Sequence, residues 1–286
     1  MPLCVLLMGG VVGLQAYREQ HFRNLEVEDQ ILYVRTPSVV ARLALSFKDV
    51  FADLYWIRAI QHYGSTRLSS SPDKQYALLY PLLDLATTLD PRFSIAYRFG
   101  ALFLSEGEPG GANRPDQAIA LLEKGRTANP ERWEYPYDIG FVYYRNREYS
   151  KAAEWFRQAA GVPGAPNWLA PMAAVTLARG GDLQTSRLLW QNLLSSEERW
   201  VRTAAERRLT QLEAIDQIRQ LQSLSSEYQR RLGVPPPSWT ALIKGGLLRD
   251  IPRDPNGVPY VLDQASGVVS IERNSSLWPL PTEGTP

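Results

Sequence analysis

Two histidines (His21 and His62), a single cysteine (Cys4) and scattered carboxylates are the first places to look for chemistry in this chain. The histidines lie in different segments and no HExxH occurs, so neither a His-based triad nor a zinc-protease helix can be assembled from them. One cysteine supports no intrachain disulfide and no Cys-based zinc site. A lipoprotein reading of Cys4 has little support, because only three residues precede it and Leu3 stands where a small residue is wanted. P-loop, Rossmann and GxSxG glycine patterns are absent. Gly110-Gly111, Gly180-Gly181 and Gly245-Gly246 read as turns. A hydrolase or transferase would have to use carboxylates such as Glu106, Glu108 and Asp116. Acid–base pairs need close, environment-shifted carboxyls, and this spacing does not display them. Asp250, Asp254, Asn256 and Asp263 could surround a calcium ion with oxygen, but turn formation is the simpler use of such residues. No catalytic residue, metal ligand or cofactor is therefore assigned, and a small hydrolase or transferase stands only as the alternative to a binding protein.

Binding chemistry is better represented. Tyr137, Phe141 and Tyr144 fall four and three residues apart, so one helix face presents all three, with Arg145 beside them. Tyr97, Trp168 and Arg179 occupy comparable positions on neighbouring helical stretches. Exposed aromatics with a few arginines are the composition of protein-binding hot spots. The same rings could instead fill gaps between helices, and both uses remain open for this set.

The elements that must position these residues follow from length and pattern. A chain of 286 residues with 44% hydrophobic content has room for one extended repeat domain and small appendages. A net charge of +1 gives no basic surface for nucleic acid. Pro2 to Tyr17 carries no charge, although it is short of the ~20 residues that span a bilayer core. It lacks a basic n-region, and its adjacent glycines suit a membrane helix better than a soluble one. We expect residues 1–17 to be a single-pass anchor or uncleaved signal, possessing an upstream start or only a minimal length, and residues 18–37 to be a linker. Arg18 and Arg23 follow the apolar run and no basic residue precedes it, which taken alone places the rest in the cytoplasm. An upstream start removes that argument, and the expectation is an inner-membrane protein with its repeats in the periplasm.

From Ser38 to Gly64 apolar residues recur at helical spacing (Val39, Leu43, Phe47, Val50, Phe51, Leu54, Ile57, Ile60), and Tyr76 to Leu89 forms a second helical pattern ending at Asp90-Pro91. An internal repeat follows. Gly140, Tyr143, Ala152, Phe156 and Ala159 align with Ala174, Leu177, Ser186, Trp190 and Leu193 at a constant spacing of 34. One unit earlier, Gly100, Phe103 and Gly107 match the first helix, and Ala118, Leu122, Gly125 and Pro130 match the second. An insertion around Glu108 to Arg114 separates that unit's helices. Small residues mark close helix crossings, large ones fill the gaps between pairs, and proline ends the second helices.

On these residues the chain resembles the tetratricopeptide-repeat family over roughly Ser38 to Arg199, with units at 38–92 (degenerate), 93–130, 131–165 and 166–199. Pro136 and Pro171 depart from the family's first helices. The phrases FADLYWIRAIQHYG, LDPRFSIAYRFGALFLSEGEPGGANRPDQAIALLEKG and PGAPNWLAPMAA resemble a group of bacterial envelope repeat proteins. The resemblance implies an all-α fold: a right-handed helical solenoid whose first helices line a binding groove for a protein or peptide partner. The implied role is a membrane-anchored scaffold in the assembly or stability of an envelope complex such as a pilus or secretion machine.

Residues 200–233 read as a long amphipathic capping helix, with Leu209, Leu212, Ile215, Ile218 and Leu221 on its apolar face and Arg207, Arg208, Glu213, Arg219 and Gln220 off it. Residues 234–286 differ in kind: a short helix from Trp239 to Leu247, a turn at Asp254-Pro255-Asn256-Gly257, and a small β-hairpin from Val258–Leu262 and Val268–Ile271. The phrase PRDPNGVPY is similar to a segment near the end of type II secretion pseudopilins. Asn274 to Pro286 is expected to be a loose end.

Overall fold

The computed structural model describes residues 13–14, 17, 44, 46–70, 74–107 and 110–281. The expected anchor, apart from Gly13, Leu14 and Tyr17, and the whole linker 18–37 lie outside these residues. The fold is all-α, with very little strand. Among the described residues no helix is long and apolar enough to cross a membrane. The chain divides into two compact units, Met1–Ala128 and Asn129–Pro286, at the Asn129-Pro130 break.

The first unit holds α1 (Lys48–Leu68), α2 (Leu79–Leu89), α3 (Ser94–Ser105) and α4 (Pro115–Ala128). Helix α1 packs on α2, and α3 packs on α4 as well as on α2. Leu79, Leu82, Leu83, Leu85 and Leu89 bury α2 on nearly every side. Lys124 of α4 then ties the end of α2, donating to the Asp84 carboxylate (2.6 Å), to the Asp84 carbonyl (2.9 Å) and to the hydroxyls of Thr87 (3.0 Å) and Thr88 (2.6 Å).

Helix α1 is turned the opposite way from its hydropathy. Its buried residues are Ala52, Ala59, His62 and Tyr63. Val50, Phe51, Leu54, Ile57 and Ile60, the residues that carry its helical period, are exposed. Small side chains allow α1 to approach α2 closely, while Trp56 and Tyr63 stack on Phe103 of α3 at 6.0 and 4.2 Å. Exchanging Ile57 for Lys should therefore leave the melt almost unchanged, since surface substitutions stay within about 0.5 kcal/mol. Ala59→Leu should cost about 1–3 kcal/mol by overpacking the helix crossing. Equal losses for the two variants in a denaturant titration would show the face to be misassigned.

The second unit contains α5 (Glu134–Arg145), α6 (Tyr149–Ala160), α7 (Leu169–Arg179), α8 (Leu183–Leu193), α9 (Arg199–Leu232), α10 (Trp239–Lys244), β1 (Val261–Leu262) and β2 (Val269–Ser270). Helices α5 to α9 pack each on the next in chain order. The 34-residue spacing reappears as burial: Ala152 and Phe156 are fully enclosed, and so are Ser186 and Trp190. Ser186 also donates to the Ala174 carbonyl across the α7–α8 crossing (2.7 Å). Pro136 and Pro171 are each the third residue of their helix. A first-turn N–H has no acceptor within its helix, so proline costs little there. An Asp182 cap, accepting from Thr185 N, starts α8.

Helix α9 runs for 34 residues and ends at Gly233 in the left-handed region (φ 77°). Leu212, Ile215 and Leu221 are buried, with Leu209 and Ile218 packed beside them, against Tyr260, Val269, Ile271, Leu277 and Leu280 of the C-terminal segment. The segment after Asn274 is not loose up to residue 281: Ser275, Leu277 and Leu280 are buried. Polar side chains of α9 hold it. Gln211 donates to the carbonyls of Leu277 (2.6 Å) and Pro279 (3.0 Å), Ser225 donates to that of Gly267 (2.6 Å), and Gln222 accepts from Val269 N (2.8 Å). Strands β1 and β2 pair antiparallel over only two residues each, shorter than the sequence pattern predicts. Side chains of α9 supply the partners that a longer ladder would have provided.

Candidate functional site

The site grows from one helix face of the second unit. Tyr137, Phe141 and Tyr144 of α5 follow one another with ring centroids 6.4 and 6.5 Å apart, the second pair nearly parallel at 11°. Trp168, just before α7, meets Tyr137 edge-on at 5.4 Å, and Trp133, just before α5, meets both Tyr137 and Trp168 at 6.0 Å. At the other end Tyr149, the first residue of α6, meets Tyr144 at 5.4 Å. Arg179 of α7 lies over both rings, 5.4 Å from Tyr144 and 5.9 Å from Tyr149, and donates to the Tyr144 hydroxyl. Six aromatic side chains thus form a continuous ribbon capped by a guanidinium.

Close aromatic pairs contribute about 0.5–1.5 kcal/mol each beyond area burial, so the ribbon is pre-ordered before any partner arrives. Its base is fixed by the core: Tyr137 also touches Phe156 at 5.6 Å, and Tyr143, Tyr144 and Met172 pack on the same buried cluster. Its outer surface remains accessible, with Phe141 38% and Trp168 39% exposed. Arg145, at the last position of α5, is exposed beside it.

Five of the residues selected from sequence are brought together: Tyr137, Phe141, Tyr144, Trp168 and Arg179, with Arg145 adjacent on α5. Tyr97 is a correction. It belongs to the first unit, is fully buried, and donates its hydroxyl to the Thr87 carbonyl (3.2 Å), so it is core and presents nothing to a partner. Tyr143, aligned with the repeat's packing positions, and Tyr144, on the ribbon face, are both half-buried. Phe141 is the open position. Sequence reasoning missed Trp133 and Tyr149. Trp133 stands four residues before Tyr137 and extends the same helical spacing; Tyr149 joins through the α5–α6 turn and leaves no periodic trace.

Three of the carboxylates weighed for chemistry, Glu106, Asp254 and Asp263, serve other contacts. Glu106 accepts from Tyr63 and pairs with Arg67. Burial, then the Glu106 hydrogen bond, pushes the Tyr63 hydroxyl up to about 12. Asp116 lies exposed in the first turn of α4, and Glu108 falls outside the described residues. Asp254 accepts from Asn256 N and Val258 N, and Asp263 from Ala265 N and Ser266 N, so both serve as turn acceptors. No group of three or more His, Cys, Asp or Glu that could hold a metal ion occurs among the described residues. His62 is buried with its ring edge-on to Tyr76 at 6.4 Å. Comparison with family models, with curated proteins and with solved structures finds no match.

Proposed function

We propose that the chain is a scaffold that binds another protein through the aromatic ribbon of its second unit, in the assembly or stability of a membrane-associated envelope complex. The continuous run of rings from Trp133 to Tyr149 carries this reading, because exposed aromatics on a rigid base are where binding energy concentrates. In the same proposal the pairs α5–α6 and α7–α8 are tetratricopeptide-like repeats of a right-handed solenoid, on the strength of the 34-residue spacing. Residues 1–17 anchor the chain in the inner membrane and the repeats lie in the periplasm. The last segment, with its β1–β2 hairpin, closes the end of α9.

The test uses a photocrosslinking amino acid at Phe141 in membranes of the source cells. A discrete crosslinked species should form from position 141, and none from Leu188, a more exposed apolar position on α8. Phe141→Ala should leave the chain folded, losing no more than its two ring contacts, about 1–3 kcal/mol, yet lower partner capture by at least about tenfold. Crosslinking equal from both positions, or capture unaffected by Phe141→Ala, would sink the proposal.

A further inference from the structure

A second feature of the same unit points to a ligand of different chemistry. At the start of α9, Arg199, Thr203 and Arg207 repeat every four residues, and Trp200, Ala204 and Arg208 do so one residue later. Two neighbouring stripes therefore share one side of the helix. Over them lies an open cleft of about 660 Å³, within the size range of small-molecule sites. Its walls are more apolar than polar, and the half-exposed indole of Trp200 forms one of them.

The cleft concentrates positive charge, three arginines against the single carboxylate of Glu198. Arg208 is half-buried, although its charge marks it for the solvent side of the helix. Among the described residues its side chain donates to the neutral Gln211 Oε1 at 2.8 Å, and that of Arg207 to the Ser276 carbonyl at 3.3 Å. Among the described residues none of Arg199, Arg207 and Arg208 forms an ion pair. Burial, then the neighbouring charge of Arg207, holds the Arg208 guanidinium below its usual range. A guanidinium stays charged in proteins even so, and a half-buried one without a carboxylate gains most from an added anion. The one carboxylate at the rim, Glu198, accepts from Asn167 Nδ2 at 3.0 Å.

We propose that this cleft binds an oxyanion, carboxylate or phosphate, carried on a flat apolar body. Arg207 and Arg208 take the oxyanion, whose planar edge matches a guanidinium fork, Thr203 offers a hydroxyl, and the body lies against Trp200. Arg199 closes the open side with a further charge.

Calorimetric titration of the full chain in non-ionic detergent decides the matter with three probes. N-acetylphenylalanine carries a carboxylate, phenyl phosphate a phosphate, and N-acetylphenylalaninamide the body of the first without its charge. One or both anions should bind, and which of them does so identifies the oxyanion. The amide should bind at least about tenfold more weakly, as expected for loss of a hydrogen-bonded charge. Arg208→Gln should weaken the anion by a similar factor. Arg199→Gln, whose side chain makes no internal bond among the described residues and cannot disturb the fold that way, should weaken it several-fold. No binding of either anion, equal binding of the amide, or unchanged affinity in Arg199→Gln and Arg208→Gln would each overturn the assignment.

Discussion

Gly140→Leu is expected to destabilise the second unit by at least about 3 kcal/mol, the upper end of what overpacking a core costs. A Cβ at position 140 would stand 2.7 Å from two ring carbons of Phe156 and 3.1 Å from the Ala152 carbonyl oxygen. The oxygen belongs to the backbone of α6 and cannot swing aside. The ring is fully buried and has nowhere to turn. Even Gly140→Ala meets this wall, so the loss should start with the first methyl group. Combining Gly140→Ala with Phe156→Leu should recover part of it, because residues in contact couple by about 0.5–3 kcal/mol. Thermal and urea melts of the three variants check this directly. A Gly140→Leu protein melting within error of the original would mean that α5 and α6 do not cross at this glycine.

The second large effect is expected at Asp254. This carboxylate is 4% exposed, accepts from the amides of Asn256 and Val258 at 2.9 Å each, and receives the Ser275 hydroxyl. Asp254→Ala leaves two turn amides and one hydroxyl without their acceptor. Hydrogen bonds to a charged group are worth about 1.5–3 kcal/mol apiece and are not additive, which puts the total near ~3–4 kcal/mol. Asp254→Asn keeps one oxygen for the turn and should lose roughly half as much. Because Ser275 lies in the last described stretch, the Ala variant should also become sensitive to trypsin at Arg273. Wild-type resistance to digestion together with an unchanged melt would show that the tail is held without Asp254.

These two sites mark where the sequence could and could not be read. The small-large alternation at Gly140, Ala152 and Phe156 was legible because close helix crossings exclude side chains, and exclusion leaves a periodic trace. The outward turn of α1 was not. Helical spacing identifies a face, but only the neighbours decide whether it is covered, and here Ala52 and Ala59 win the inner side because α2 comes close. Tyr97 misled for the same reason: its position on a first helix resembles that of the ribbon residues, yet its ring points into the core. Most of the ribbon itself was visible as the 137, 141, 144 spacing. The docking of the C-terminal segment was invisible, since what it offers to the side chains of α9 is largely its main-chain carbonyls, which every residue possesses and no sequence distinguishes. Arg208 belongs with it: residue type alone assigns it to solvent, yet it is half-buried.

The dependence of that segment on α9 bears on how the chain is made. Strands β1 and β2 hold each other by two residues, so beyond its own Asp254 turn the segment is seated by Gln211, Gln222 and Ser225 of α9. During synthesis α9 emerges first, with Leu212, Ile215 and Leu221 uncovered until the remaining residues follow. A nascent chain interrupted near Gly233 would carry an exposed apolar stripe along a long helix, which is the signature that chaperones and proteases recognise. The closing segment therefore acts as a cover for that stripe, and a chain in which it has docked no longer displays the signal.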